Sequence, residues 1–283
     1  MEIQWPLAIF TLLAGGAGWL LVWSCVNQLR GTVTDDKLFS RELIVIAILA
    51  ICGGISSAMH LSHVDRMMGA LSHPSSAIFT EAVMVGLVVL LCIVFLVMLR
   101  RDMSAGTRKA LAIVGIVFGV VISFATGSGY MMSSQPNWNT LLMPLSYLVT
   151  ASAFGSALYL LFVDTWKGDE EVHGKAVGEA STYALITGIV AAVVVVIYAV
   201  AQGVFSISGE PALFAVCFIG CLGVAAVGAG AGKATTGIAL PSVGVICGVA
   251  ASLGFRCFMF AAGTGLLSFI ATPDAANHFF ATI

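Results

Sequence analysis

Three ionisable side chains, His60, Glu81 and Arg256, fall inside or at the edge of long apolar runs. Those residue types suit a reaction in which a small ring gives up two electrons and two protons. A histidine that titrates near neutrality can accept one proton, and a carboxylate nearby can orient the donor or relay the second. A cation can hold the negative charge that develops on a ring oxygen. His60 and Glu81 open and close one polar island, HLSHVDRMMGALSHPSSAIFTE, which also contains His63, Asp65, Arg66 and His73.

Depth sorts these residues. If the second apolar span enters near Leu43, a rise of about 1.5 Å per residue places His60 about 25 Å across a core about 30 Å thick. Glu81 follows Pro74 and lies roughly 9 Å in from the opposite side. Arg256 follows Pro241 and lies about 22 Å from the inner side. All three reach the outer third of the membrane, where ionisable groups are costly and mark functional sites by default. Plainer roles stay open. His60 could satisfy a helix end near the headgroups, Glu81 could snorkel outward or neutralise Arg256, and Arg256 could bind a lipid phosphate. His63, Asp65 and His73 read as a solvated loop, in which Asp65 and Arg66 could touch a partner. His173 reads as solvated in an acidic inner loop, and His278 as part of the tail.

The chemistry that fits best is quinol oxidation, because a flat apolar ring suits a gap between helices rich in small residues. A bis-histidine haem needs two facing histidines at matched depth. Only His60 meets the depth requirement, so no haem is expected in this chain, and no metal. The seven cysteines all sit in apolar stretches and none forms a CxxC. They read as small core residues, although Cys217 and Cys221 lie one helical turn apart.

The elements that must carry these groups follow from composition. The chain has 283 residues, 59 % hydrophobic and 9 % charged, with a mean hydropathy of +1.04. Soluble domains carry about 25 % charge, so the expected class is an all-α integral membrane protein. A net charge of −2 offers no basic field for nucleic acid. Spans are predicted at about 5–29, 42–62, 75–99, 110–132, 139–163, 179–203, 211–231 and 240–262, each near the 20 residues a bilayer needs. Residues 263–270 are also apolar, which leaves counts of seven or nine open. The first run, Ile3 to Leu29, is too long for a cleavable signal. Ten of the twelve Lys and Arg residues fall in the first, third, fifth and seventh loops. Those loops are therefore expected in the cytoplasm, with both termini outside a cytoplasmic (inner) membrane.

The chain also repeats. WPLAIFTLLAGGAGWLL from Trp5 resembles MPLSYLVTASAFGSALY from Met143, with Pro6 on Pro144. Four spans per half keep both halves in one orientation, so the expected architecture is a single membrane domain (1–283) of two four-helix bundles. These are 1–132 and 139–270, followed by an outer tail at 271–283. A secondary transporter is the alternative reading. Its ionisable sites usually lie at the midplane on broken helices, whereas here they gather at one face.

Five segments carry a family resemblance: WPLAIFT (Trp5–Thr11), SAMHLSHVDRMMGAL (Ser57–Leu71), FTEA (Phe79–Ala82), MPLSYLVTASAFGSAL (Met143–Leu158) and LGFRCFMF (Leu253–Phe260). The protein resembles the membrane-anchor subunits of dimethyl sulfoxide reductases, themselves distantly similar to polysulfide and nitrite reductase anchors. The resemblance implies an eight-span subunit that oxidises menaquinol in anaerobic respiration and has no haem of its own. It implies two partners on the outer face, an iron–sulfur electron-transfer subunit and a molybdenum catalytic subunit. It ties quinol oxidation to the positions of His60 and Glu81, and matches Arg66 and Arg256 to further family positions, where quinol binding or a bridge to the partner is expected. Two departures are visible. The family's aromatic pair after the last arginine is Phe258-Met259-Phe260 here, and the spacing from His60 to Glu81 is about one residue short.

Overall fold

The computed structural model describes residues 3–59, 77–201, 211–231 and 238–263. Among the described residues there are eight helices, all long and apolar enough to cross a membrane, and no strands. They are α1 (Trp5–Arg30), α2 (Asp36–Ala58), α3 (Ala77–Leu99), α4 (Ala105–Ser128), α5 (Leu142–Thr165), α6 (Glu170–Ala201), α7 (Pro211–Ala231) and α8 (Ala239–Ala262). The expected multi-pass, all-helical class is the observed one. Residues 264–270, which left a ninth span open, and the tail lie outside the described residues.

Several helices begin earlier than their apolar runs. Asp35 caps α2, its Oδ1 accepting the Lys37 N–H at 2.7 Å. Ser104 caps α4 through the Thr107 N–H at 3.2 Å. Asp169 accepts the N–H groups of Glu171 and Val172 at the start of α6. Hydropathy senses only the part of a helix in lipid, while the cap fixes where the backbone starts to wind. At 32 residues, α6 is about 48 Å long and must project beyond a 30 Å hydrocarbon core.

Successive helices are neighbours in two closed rings. In the first, α1 packs on α2, α2 on α3, α3 on α4 and α4 on α1; in the second, α5 to α8 repeat the pattern. The rings meet through α1–α5, α4–α5 and α1–α8. Exchanging the halves maps this set of contacts onto itself, as the sequence repeat anticipates. The central pair, α1 and α5, is the most buried.

Small residues set the central spacing. A Cβ on Gly18 of α1 would lie 2.7 Å from the Gly119 carbonyl oxygen of α4. A Cβ on Gly155 of α5 would strike the Trp19 side chain and the α1 backbone. Helices approach this closely in lipid because packing, not water exclusion, holds them together. Outward, α2, α3 and α6 present Ile48, Leu90 and Ile186 to lipid.

One face carries the N-terminus of α1 and the C-terminal ends of α2, α4, α6 and α8; we call it the amino-terminal face. The opposite face carries the described basic residues other than Arg256, and we call it the basic face. There Arg30 pairs with Glu179 at 3.0 Å, and Thr32 donates to the same carboxylate. The Trp166 indole donates to Asp35 Oδ2 at 2.7 Å, tying the end of α5 to the cap of α2.

Two outcomes follow. Gly18→Leu forces α1 and α4 apart, at a cost of about 1–3 kcal/mol, and lowers the Tm of the detergent-solubilised protein; lipid-facing Ile186→Leu leaves it unchanged. The Trp166 bond holds the Asp35 carboxyl below its usual range. A depressed acid contributes stability that is present above its unfolded value of about 3.9 and is lost as pH falls through the folded one. Trp166→Phe should therefore lower Tm at neutral pH by about 1 kcal/mol equivalent, with the gap to the unsubstituted protein closing in acid.

Candidate functional site at the amino-terminal face

Arg256 lies on α8, six residues before its end, and is 0 % exposed. Its guanidinium is solvated by protein. Nε donates to Thr11 Oγ1 at 2.6 Å and Nη2 to the Thr11 carbonyl at 2.7 Å. Nη1 donates to both the carbonyl and the Oγ of Ser252, each at 2.6 Å. Four of the five N–H donors are thus spent on one residue of α1 and one turn of α8. The Tyr147 ring of α5 covers the cation, 4.5 Å from its centroid, an arrangement that gains strength where water is excluded. Among the described residues no carboxylate lies within ion-pair distance of it. Neutralisation by Glu81, one of the plainer roles left open, is therefore not what holds this charge.

Local sequence explains the cradle. Ser252 precedes Arg256 by four residues, so both share one face of α8. Thr11 follows Pro6 in α1, and Gly15 lets α1 close on α5, since a Cβ there would stand 2.8 Å from that of Ala151. The end of α8 is held from outside. The Trp138 indole donates to the Met259 carbonyl at 2.8 Å and the Asn137 amide to that of Ala262 at 2.9 Å. These carbonyls have no acceptor duty left inside the helix, so the loop between α4 and α5 serves as their cap. Tyr130, Trp138 and Phe260 meet edge to face at 5.7–6.0 Å. Met259, the departure from an aromatic pair, accepts the Tyr147 hydroxyl at its sulfur, at 3.6 Å.

Glu81 stands in the second turn of α3, half-buried, at the same face. Beside Arg256 the Tyr147 ring meets that of Tyr130; the two are stacked, 5.5 Å apart and 26° from parallel. Of the expected site residues, Glu81 and Arg256 are placed at one membrane face, with Arg256 against the Tyr147 ring. His60 and Arg66 lie outside the described residues, as do His63, Asp65 and His73; the last described residue before them is Met59, which caps α2. Among the described residues no cluster of three metal-ligating side chains occurs.

Sequence reasoning missed Thr11, Tyr130, Tyr147 and Ser252. The Ser252–Arg256 spacing was available as a signal, since a hydroxyl four residues before an intramembrane arginine sits beside it. Thr11 and Tyr147 fall within WPLAIFT and MPLSYL, two segments that carried the resemblance, but nothing in a single sequence says that they meet.

The arrangement holds a fixed positive charge and two stacked phenols beneath an aromatic rim, with the Glu81 carboxyl at the same membrane face. Comparison with known proteins agrees with the segment resemblance. A curated relative, a component of the anaerobic dimethyl sulfoxide reductase of Haemophilus influenzae, is 25 % identical over 163 residues. That alignment covers 56 % of this protein and 58 % of the relative, so the match spans little more than half of the relative's length. The family described as DMSO reductase anchor subunit (DmsC) matches residues 1–213. That match covers six of the eight helices together with Thr11, Glu81 and Tyr147, and the chain belongs to the DMSO reductase anchor subunit (DmsC) family.

Proposed function

We propose that this anchor subunit oxidises menaquinol and passes the electrons to an iron–sulfur partner. That partner and a molybdenum catalytic subunit are held against the outer face of the cytoplasmic membrane. The amino-terminal face is that outer face, as the placement of Lys and Arg implies. The observation that supports the quinol reading is the buried Arg256 cation against the stacked Tyr147 and Tyr130 rings, at the membrane face where α3 also carries Glu81.

The balance is simple. Menaquinol loses two electrons to the iron–sulfur subunit and two protons to the outer side. His60 accepts one proton, and Glu81 orients the ring or relays the second. Arg66 and Arg256 stabilise negative charge on the ring oxygens. With four donors already engaged, Arg256 acts chiefly through its charge and has a single Nη2 hydrogen to offer. Menaquinol enters as substrate, and in this reading the chain holds neither haem nor metal.

The test uses the assembled complex in membranes. His60→Ala and Glu81→Gln should each lower menaquinol-dependent turnover by roughly 100-fold. Turnover driven by a reduced dye, which delivers electrons directly to the catalytic partner, should stay unchanged. Full menaquinol-dependent turnover in an assembled His60→Ala complex would falsify the mechanism.

A further inference from the structure

A second buried carboxyl lies at the other end of the first bundle. Glu42, in the second turn of α2, is 1 % exposed. Among the described residues no Lys, Arg or His lies within ion-pair distance of it. The titratable groups facing it are Cys25 of α1 and Tyr159 of α5, with Cys92 of α3 beyond Cys25. Behind Tyr159 stand Tyr183 and Glu179 of α6, the latter paired with Arg30 of α1. The Ser24 hydroxyl of α1 lies beside the carboxyl, yet Glu42 Oε1 and Ser24 Oγ are both buried without a hydrogen bond of good geometry. The indole N–H groups of Trp19 and Trp23, on the same helix, are also buried and unpartnered.

An isolated carboxylate in apolar surroundings is so costly that the group takes up a proton instead. Unpartnered donors and acceptors side by side are what small hydrogen-bonding molecules, water above all, satisfy. A polar path also leads outward. Gln28 lies one helical turn from Ser24 on the same face of α1. Its Oε1 accepts Arg108 Nη1 at 2.8 Å, and the same nitrogen pairs with half-exposed Asp36 at 2.7 Å.

We propose that Glu42 and Ser24 form a proton-binding site that exchanges with water on the basic face along Gln28 and the Arg108–Asp36 pair. The ligand is a proton delivered by water. On uptake an O–H bond forms on the Glu42 carboxyl as one breaks in the hydrated donor, and release reverses this; no electrons move. The site faces the compartment opposite to the one Glu81 serves, and it does not depend on the quinol reading.

Infrared difference spectroscopy on the full complex in membranes tests it without any quinol. At neutral pH the carbonyl-stretch band of a protonated carboxylic acid should be present, lost in Glu42→Gln and kept in Glu81→Gln. Transfer to D2O should shift that band, and Gln28→Leu should slow the shift. Ser24→Ala should displace the band by removing the hydroxyl beside the carboxyl, a readout that serves if Glu42→Gln does not assemble. A band absent at neutral pH, or untouched by both Glu42→Gln and Ser24→Ala, overturns the site. A band that never exchanges in D2O, or exchanges equally fast in Gln28→Leu, overturns the path.

Discussion

A guanidinium inside a bilayer must find in the protein the solvation it has left behind in water. At Arg256 that requirement links parts of the sequence 245 residues apart. Thr11 supplies a hydroxyl and a carbonyl from α1, Ser252 supplies the same pair from α8, and Tyr147 supplies a ring from α5. Removing one partner of a buried, hydrogen-bonded charge leaves a penalty of several kcal/mol. Three of the four helices that form the seam between the bundles, α1, α5 and α8, are therefore held in register by one side chain.

The two membrane faces are built by different physics. At the basic face, exposed or half-exposed ion pairs and caps join loops that water also reaches, so each bond contributes modestly. At the amino-terminal face the described polar groups around Arg256 are buried and aromatic-lined. The first arrangement tolerates variation in detail. The second fixes a geometry.

Much of this was legible in the residues. Apolar run lengths placed all eight helices, because a bilayer leaves few alternatives. The Pro6–Pro144 repeat anticipated the two rings. Glu81 and Arg256 stood out because charge in lipid is rare. What escaped was the company they keep. Thr11 and Ser252 are hydroxyl residues of a kind common in membrane helices, usually bonded to their own backbone, as Thr150 is to the Ser146 carbonyl. Their role depends on which helices meet, a tertiary fact. Glu42 escaped for another reason. Hydropathy puts the edge of the second span at residue 42, which leaves this carboxyl at the border of a loop. Only the cap at Asp35 moves it inside.

The loop at residues 129–141 has a mechanical consequence. It grips α8 by the carbonyls of Met259 and Ala262, and a helix is stiff along its axis. Ala262 and Arg256 are six residues, about 9 Å, apart on that rod. The loop therefore acts as a stop that sets the height of the cation in the membrane. Any force that displaces residues 137 and 138 is transmitted to the guanidinium, and through it to Thr11 at the start of the first helix.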